Sequence, residues 1–282
     1  MQEDPMIRTD AHLHTSFSTD SDTPMEEMVL AGIGAGLESM CFTEHFDPDF
    51  PDAESPTDFC PDLEAYEEEY LRLKAKYEGR IELLHGIELG IQPHLADTCR
   101  QFYEEYGSRY DYIIHSTHVV DRLDPYFGAY FAAWDDPKMA TRHYFEVMLE
   151  NLSVFRDYQT VAHLDYICRY EPKPRTPFVY EDYREVIDPV LERIISEGKC
   201  LEVNTAGWKY GMDDPNPNRQ ILKRYRELGG TRITIGSDGH QPEHIAFGFH
   251  RLTAFLTDIG FDRYIYYRNR KEYEIPLKFS EI

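Results

Sequence analysis

Two histidines separated by a single residue, His12 and His14, close a short apolar run near the start of the chain. Strand side chains alternate with a period of two, so both imidazoles point to one side and together can grip one ion. Polar side chains of metal-binding type close further apolar runs: Thr43-Glu44-His45, His85-Gly86-Ile87-Glu88, His115-Ser116-Thr117-His118, His163-Leu164-Asp165 and Gly236-Ser237-Asp238-Gly239-His240. Asp238 and His240 again stand two apart. A lone histidine at a strand end is more often a hydrogen-bonded structural residue than a ligand, and one HxH pair arises by chance. Recurrence at run after run is what shifts the balance. Imidazole and carboxylate without thiolate suit Zn, Fe, Mn or similar ions and do not choose among them.

These residues need a scaffold that brings strand ends together. Strand-like runs occur at Ile7–Leu13, Ser39–Thr43, Ile81–Ile87, Asp111–Ile114, Thr160–Leu164, Lys199–Val203 and Arg232–Ile235. They alternate with amphipathic stretches, the pattern of βαβ units on a parallel sheet, either doubly wound or closed into a barrel. In a β/α barrel the C-terminal strand ends host the active site. Helices are expected after Thr23-Pro24-Met25-Glu26, which reads as a capping box ended by Gly36, and over Asp62–Lys76, Pro137–Tyr158, Glu181–Glu197 and Pro217–Leu228. Pro189 is expected to kink or split the fourth of these. The Pro- and Asp-rich stretch Asp47–Asp62 reads as a long loop of the kind that forms lids, and the segment after Asp262 has no place in the repeating pattern. No linker divides the chain, so residues 1–282 are expected to form one domain.

The 282 residues carry 29 Lys and Arg against 52 Asp and Glu, a formal charge of −23, which opposes binding to nucleic acid or an anionic membrane. A small molecule is the expected partner. The five cysteines, Cys41, Cys60, Cys99, Cys168 and Cys200, form no CxxC pair, and their odd number argues against a disulfide framework. The N-terminus lacks the basic start and apolar stretch of a signal peptide, and no run reaches the ~18 apolar residues of a membrane span, so a cytoplasmic protein is expected.

The ordered set DAHLHTSFSTDSD, FTEH, GIELG, STH, AHLD and GSDGH resembles the PHP (polymerase and histidinol phosphatase) family over Asp10 to about Phe249. The WK after NTAG, the CRY after AHLDYI and the DSD of the first motif resemble its histidinol-phosphate phosphatase branch. The resemblance implies a distorted (β/α)7 TIM-like barrel holding two to three divalent ions (Zn, Fe or Mn). It implies the ligands His12, His14, Asp20, His45, Glu88, His118, His163, Asp238 and His240. His12, His14, Glu88 and Asp238 would hold one metal, Glu88 would bridge to a second held by His118 and His163, and Asp20, His45 and His240 would hold a third. Asp22 offers an alternative to Asp20, and His115 to His118; the motif register favours Asp20 and His118. Asp22 otherwise reads as a neighbour of the first helix cap, and His115 as a support behind the ligands or a barrel-packing residue. His85, His94, His143 and His250 read as structural or exposed, and His244 as a support for the site or a solvent-facing residue.

The activity so implied is hydrolysis of a small phosphate monoester, L-histidinol phosphate to L-histidinol and phosphate, in histidine biosynthesis. A hydroxide between two metals is the expected nucleophile. Arg169 and Lys209 are the candidate phosphate contacts, and Asn204 either orients substrate or caps a turn. Another phosphorylated substrate is the first alternative. Metal-dependent amidohydrolases also build HxH into a first barrel strand, but here Glu88 fills the bridging position and the last motif is Asp238-x-His240. A non-catalytic metal-binding module would lack ligands, and no matched position does.

Overall fold

The computed structural model describes residues 7–51, 59–175 and 177–277. Seven parallel strands, β1 (Thr9–Leu13), β2 (Ser39–Phe46), β3 (Glu82–Gly90), β4 (Tyr112–Ser116), β5 (Thr160–Val161), β6 (Cys200–Asn204) and β7 (Ile233–Gly236), pair in sequence order. The sheet curls until β1 meets β7, where Asp238 N donates to His12 O at 2.9 Å and His14 N to Gly239 O at 2.9 Å. The result is a nearly closed (β/α)7 barrel, as expected.

Helices α1 (Met25–Gly34), α2 (Leu63–Lys76), α3 (Ala96–Tyr106), α4 (Ala129–Ala132), α5 (Pro137–Val154), α6 (Arg184–Ser196), α7 (Ala206–Lys209), α8 (Arg219–Glu227) and α9 (Phe249–Ile259) fill the connections. Asp62 caps α2 by accepting from Ala65 N at 3.1 Å. Asn218 caps α8 by accepting from Gln220 N and Ile221 N. The capping box at Thr23 does not form. Pro24 takes the cap position, the Thr23 hydroxyl donates instead to His240 O at 2.9 Å, and Glu26 pairs with Arg72 and Lys76. Nor does Pro189 split its helix: α6 runs through it, because Val186, Ile187, Val190, Leu191 and Ile194 are buried and the helix packs against α5. Packing of that face outweighs one lost backbone hydrogen bond.

The first strand contains an irregularity that matters to the site. Asp10 pairs with Met40, yet Leu13 pairs with Phe42, so three steps along β1 match two along β2. This bulge switches the side-chain phase. Ala11 below it shares the inner core with Cys41, while Leu13 above it packs in the outer layer with Phe42 and Met40. His12 and His14 thereby turn into the barrel.

The segment after Asp262 is a hairpin, β8 (Arg263–Arg268) and β9 (Lys271–Pro276). Its turn, Asn269-Arg270, has positive φ at both residues and donates backbone N–H groups to Asp111 Oδ1 and O at 2.6 and 2.9 Å. Ile265 and Tyr267 pack with Ala11, Cys41, Leu84, Tyr112, Ile114, Ala162 and Cys200, closing the barrel at the strand N-termini. The interior is therefore apolar below and polar above. Of the long loop after β2, residues 52–58 lie outside the described residues, so the expected lid is seen only at its ends, where Phe50 stacks on Phe59 with ring centroids 4.4 Å apart. No helix among the described residues is long and apolar enough to cross a membrane.

Candidate metal centre

Glu88 projects from β3 into the upper barrel with no exposed surface, and imidazoles surround it. Its Oε1 lies 2.9 Å from His163 Nε2 and 3.2 Å from His118 Nε2. Its Oε2 lies 3.2 Å from His12 Nε2, 3.4 Å from His14 Nε2 and 3.1 Å from His45 Nδ1. Asp238 Oδ1 stands 3.6 Å from His14 Nε2. Asp20 Oδ2 lies 3.1 Å from His240 Nε2 and 3.6 Å from His45 Nε2. All nine residues expected as ligands thus meet in one contiguous cluster.

The cluster fits divalent metal. Ligand atoms within 4.8 Å of one another form the groups His12/His14/Asp238, His12/Glu88/His163, His14/His45/His240 and His45/Asp47/His118. Buried Glu88 Oε2, His45 Nδ1 and His240 Nε2 have no hydrogen-bond partner. Oxygen acceptors hold the other ring nitrogen of several imidazoles: Glu202 Oε1 at His12 Nδ1 (2.7 Å), Ser18 Oγ at His14 Nδ1 (3.0 Å) and Asp47 Oδ1 at His118 Nδ1 (2.8 Å). Each such contact holds a proton on Nδ1, so that Nε2 is the nitrogen facing Glu88 and the one whose proton an ion would replace, the arrangement that prepares an imidazole to bind a metal.

Electrostatics agree. Burial opposes charge on Glu88, but His12, His118 and His45 hold its carboxyl well below the usual range. Burial likewise opposes a proton on His118, yet Asp47 and Glu88 raise it to about 10. A hole that draws protons this strongly is one that divalent cations can occupy instead. His14 is held neutral by burial and by His45 and His240. Two residues here adopt left-handed backbone, His163 (φ 22°) and Asp238 (φ 54°), a strain that the surrounding hydrogen bonds must sustain.

Arg169 and Lys209 line the cleft, about 460 Å³, that opens over the cluster. Neither is free. Arg169 donates to Asn216 Oδ1, Asp238 Oδ2 and Asn204 Oδ1, and Lys209 Nζ to Asp238 O at 2.8 Å. Of the two roles expected of Asn204 the turn cap is present: its Oδ1 accepts from Ala206 N, and it also accepts from Arg169. His115 points outward from β4 and packs edge-on against Tyr158, away from the cluster. Asp22 is absent from the ligand groups and borders a neighbouring surface groove. His85 packs among Tyr66, Tyr70 and Tyr110, while His94 and His143 pair with Asp49 and Asp121 near the surface. His250 is exposed, and His244 lines the cleft.

Glu202 and Asp47 are among the residues of the site to which the sequence alone assigned no role. Glu202 sits on β6 inside an apolar run, where an isolated carboxylate two residues before Asn204 was the available signal. Asp47 follows His45 at the same two-residue spacing as the HxH pair. Both stand beside glycines that make room for them. A Cβ on Gly236 would lie 2.4 Å from His12 Cβ and 2.7 Å from Glu202 Oε1, and one on Gly90 1.7 Å from Asp47 Oδ1.

Residues 10–206 match the PHP domain family. The chain belongs to that family. Among curated PHP relatives, the histidinol-phosphatase of Lactococcus lactis is 31% identical over 259 residues, covering 91% of this chain and 93% of the relative. The probable histidinol-phosphatase of Clostridium acetobutylicum is 32% identical over 242 residues, with 85% and 89% covered. A crystal structure of the L. lactis histidinol phosphate phosphatase, complexed with zinc, L-histidinol and phosphate, superposes with a TM-score of 0.84 at 28% identity, covering 94% of this chain and 98% of that one.

Proposed function

We propose that this PHP protein is a metal-dependent phosphatase that hydrolyses L-histidinol phosphate to L-histidinol and phosphate. One observation carries the reading: a guanidinium and an ammonium, Arg169 and Lys209, line the same cleft as six of the nine clustered imidazoles and carboxylates, so anion-binding groups face metal-binding ones. The named activity of the relatives, and the L-histidinol and phosphate of the L. lactis structure, support the substrate.

His12, His14, Glu88 and Asp238 would hold one ion, Glu88, His118 and His163 a second, and Asp20, His45 and His240 a third. Bound divalent ions supply positive charge for the phosphoryl oxygens and lower the pKa of water toward ~7. The protein's own groups do the rest. Asp47, Ser18 and Glu202 hold three imidazoles by Nδ1, with Nε2 facing Glu88. Arg169 and Lys209 receive the phosphoryl oxygens, and the rim aromatics Phe50, Phe59, Tyr126 and Phe127 shield the leaving group from bulk water.

Purified protein, reconstituted with Zn, Mn or Fe, should bind more than one equivalent of metal and release phosphate from L-histidinol phosphate. Chelation should abolish turnover and metal should restore it. A stoichiometry that never exceeds one rejects the multinuclear centre; turnover of other phosphate monoesters but not this one rejects the substrate.

A further inference from the structure

We propose that Asn216 is a positioning residue for the Arg169 guanidinium, and that Asp165 fixes which way the Asn216 amide faces. The inference rests on the reading that Arg169 binds the phosphoryl group.

A guanidinium has five N–H donors. In Arg169 three are engaged: Nε to Asn216 Oδ1 at 2.8 Å, one terminal nitrogen to Asp238 Oδ2 at 3.0 Å and the other to Asn204 Oδ1 at 3.0 Å. That leaves one N–H on each terminal nitrogen for an anion. The rings of Tyr166 and Tyr210 lie 5.4 and 5.2 Å from the guanidinium carbon, so the planar group is held at its edges and flanked by aromatic rings.

The hold at Nε depends on the amide of Asn216 presenting oxygen rather than nitrogen. Its Nδ2 donates to Asp165 Oδ1 at 2.6 Å, while Asp165 Oδ2 accepts from Asn218 N and Nδ2, both at 2.9 Å. A reversed amide would set NH2 against N–H and a carbonyl oxygen against a carboxylate, two repulsive contacts. Asp165 and Asn216 have no exposed surface, and Asp165 belongs to none of the metal-binding groups. Burying a carboxylate is costly unless its oxygens are used, and here they are spent on orienting Asn216 and the start of α8. Asn216 and Asn204 also pair through their backbones, at 2.7 and 2.8 Å, so the two amides that grip the guanidinium are fixed to each other.

Asp165→Asn is the decisive substitution because it conserves shape. The introduced amide would keep its oxygen for Asn218 and turn its NH2 to Asn216, driving the Asn216 amide to reverse and lose its grip on Nε. Asp165→Asn and Asn216→Ala should each weaken binding of inorganic phosphate to the metal-loaded protein, read by titration calorimetry, and raise KM for L-histidinol phosphate, both about tenfold. Metal content should match the wild type. Neither change should have any further effect in an Arg169→Ala background. Additive losses in that background would show a structural role unconnected with Arg169 and overturn the proposal, as would unchanged phosphate affinity. If Asn216→Ala fails to fold, Asp165→Asn carries the test alone. Failure of the underlying reading looks different: Arg169→Ala itself then leaves phosphate affinity unchanged. Normal wild-type turnover with an impaired Arg169→Ala but unimpaired Asp165→Asn rejects the positioning role only.

Discussion

Asp47 Oδ1 lies 2.8 Å from Nδ1 of His118, and the contact turns the opposite ring nitrogen of that imidazole toward Glu88. Asp47→Ala should therefore release His118 to rotate or change tautomer. Carboxylates that orient ligand imidazoles are typically worth about 10–100-fold in metal affinity or activity. Metal content and kcat, measured on one preparation, should both fall; a variant with wild-type values for both would make Asp47 a bystander.

Glu88→Gln should have a larger effect. The change is nearly isosteric, but it replaces a carboxylate whose two oxygens face five imidazoles with an amide that has one acceptor end. Circular dichroism should be unchanged while most metal and nearly all turnover are lost. Retention of both would reduce Glu88 to a structural residue.

Gly236→Ala tests whether the cage tolerates a single methyl. The added carbon would press on His12 Cβ and Glu202 Oε1, neither of which is the end of a flexible chain free to move aside. The expected result is a drop in metal affinity and a cost of roughly 1–3 kcal/mol in the stability of the metal-free protein. A variant indistinguishable from wild type in denaturant titration and metal binding would mean that β7 shifts more easily than this packing implies.

Acid stability should depend on two buried histidines that pack against tyrosines and belong to none of the ligand groups. Burial pushes His85 and His115 down to about 4, below the ordinary imidazole value of 6.5. Their folded pKa is depressed, so the unfolded chain takes up protons first. The stability they allow is complete above about 6.5 and declines as pH falls from there to about 4, by on the order of 3 kcal/mol for fully buried His115. His115→Phe should flatten the loss of stability of metal-free protein across this window. An identical pH profile for variant and wild type would contradict the assignment.

Much of the barrel could be read directly because its strands are apolar runs broken by polar residues, and all seven lie where those runs do. Strand ends were less legible. β5 retains only Thr160–Val161 of the expected Thr160–Leu164, since the chain turns sharply at His163 to deliver its imidazole. The capping box at Thr23 failed for a reason no local pattern contains, a competing carbonyl from His240 more than two hundred residues away. The hairpin after Asp262 was unplaceable for the same kind of reason, because its partners are strand beginnings scattered along the chain. Ligands announced themselves by type and position. The supporting residues did not: Glu202 acts on His12, Asn216 on Arg169, and Asp165, conspicuous only as part of a run of metal-binding type, acts on Asn216, relationships that exist only once the barrel is closed.

The bulge in β1 makes the first strand two half-strands of opposite parity joined by one extra residue. Copying Thr9–His14 onto a regular strand of another barrel with Ala11 kept in the inner layer would aim both imidazoles into the helical layer. What must be transplanted is the slip in phase. The same logic bears on natural variation: losing one residue between Asp10 and Leu13 removes either the His12 imidazole or the Ala11 methyl that fills the inner core beneath it, so only the slip lets one strand supply both.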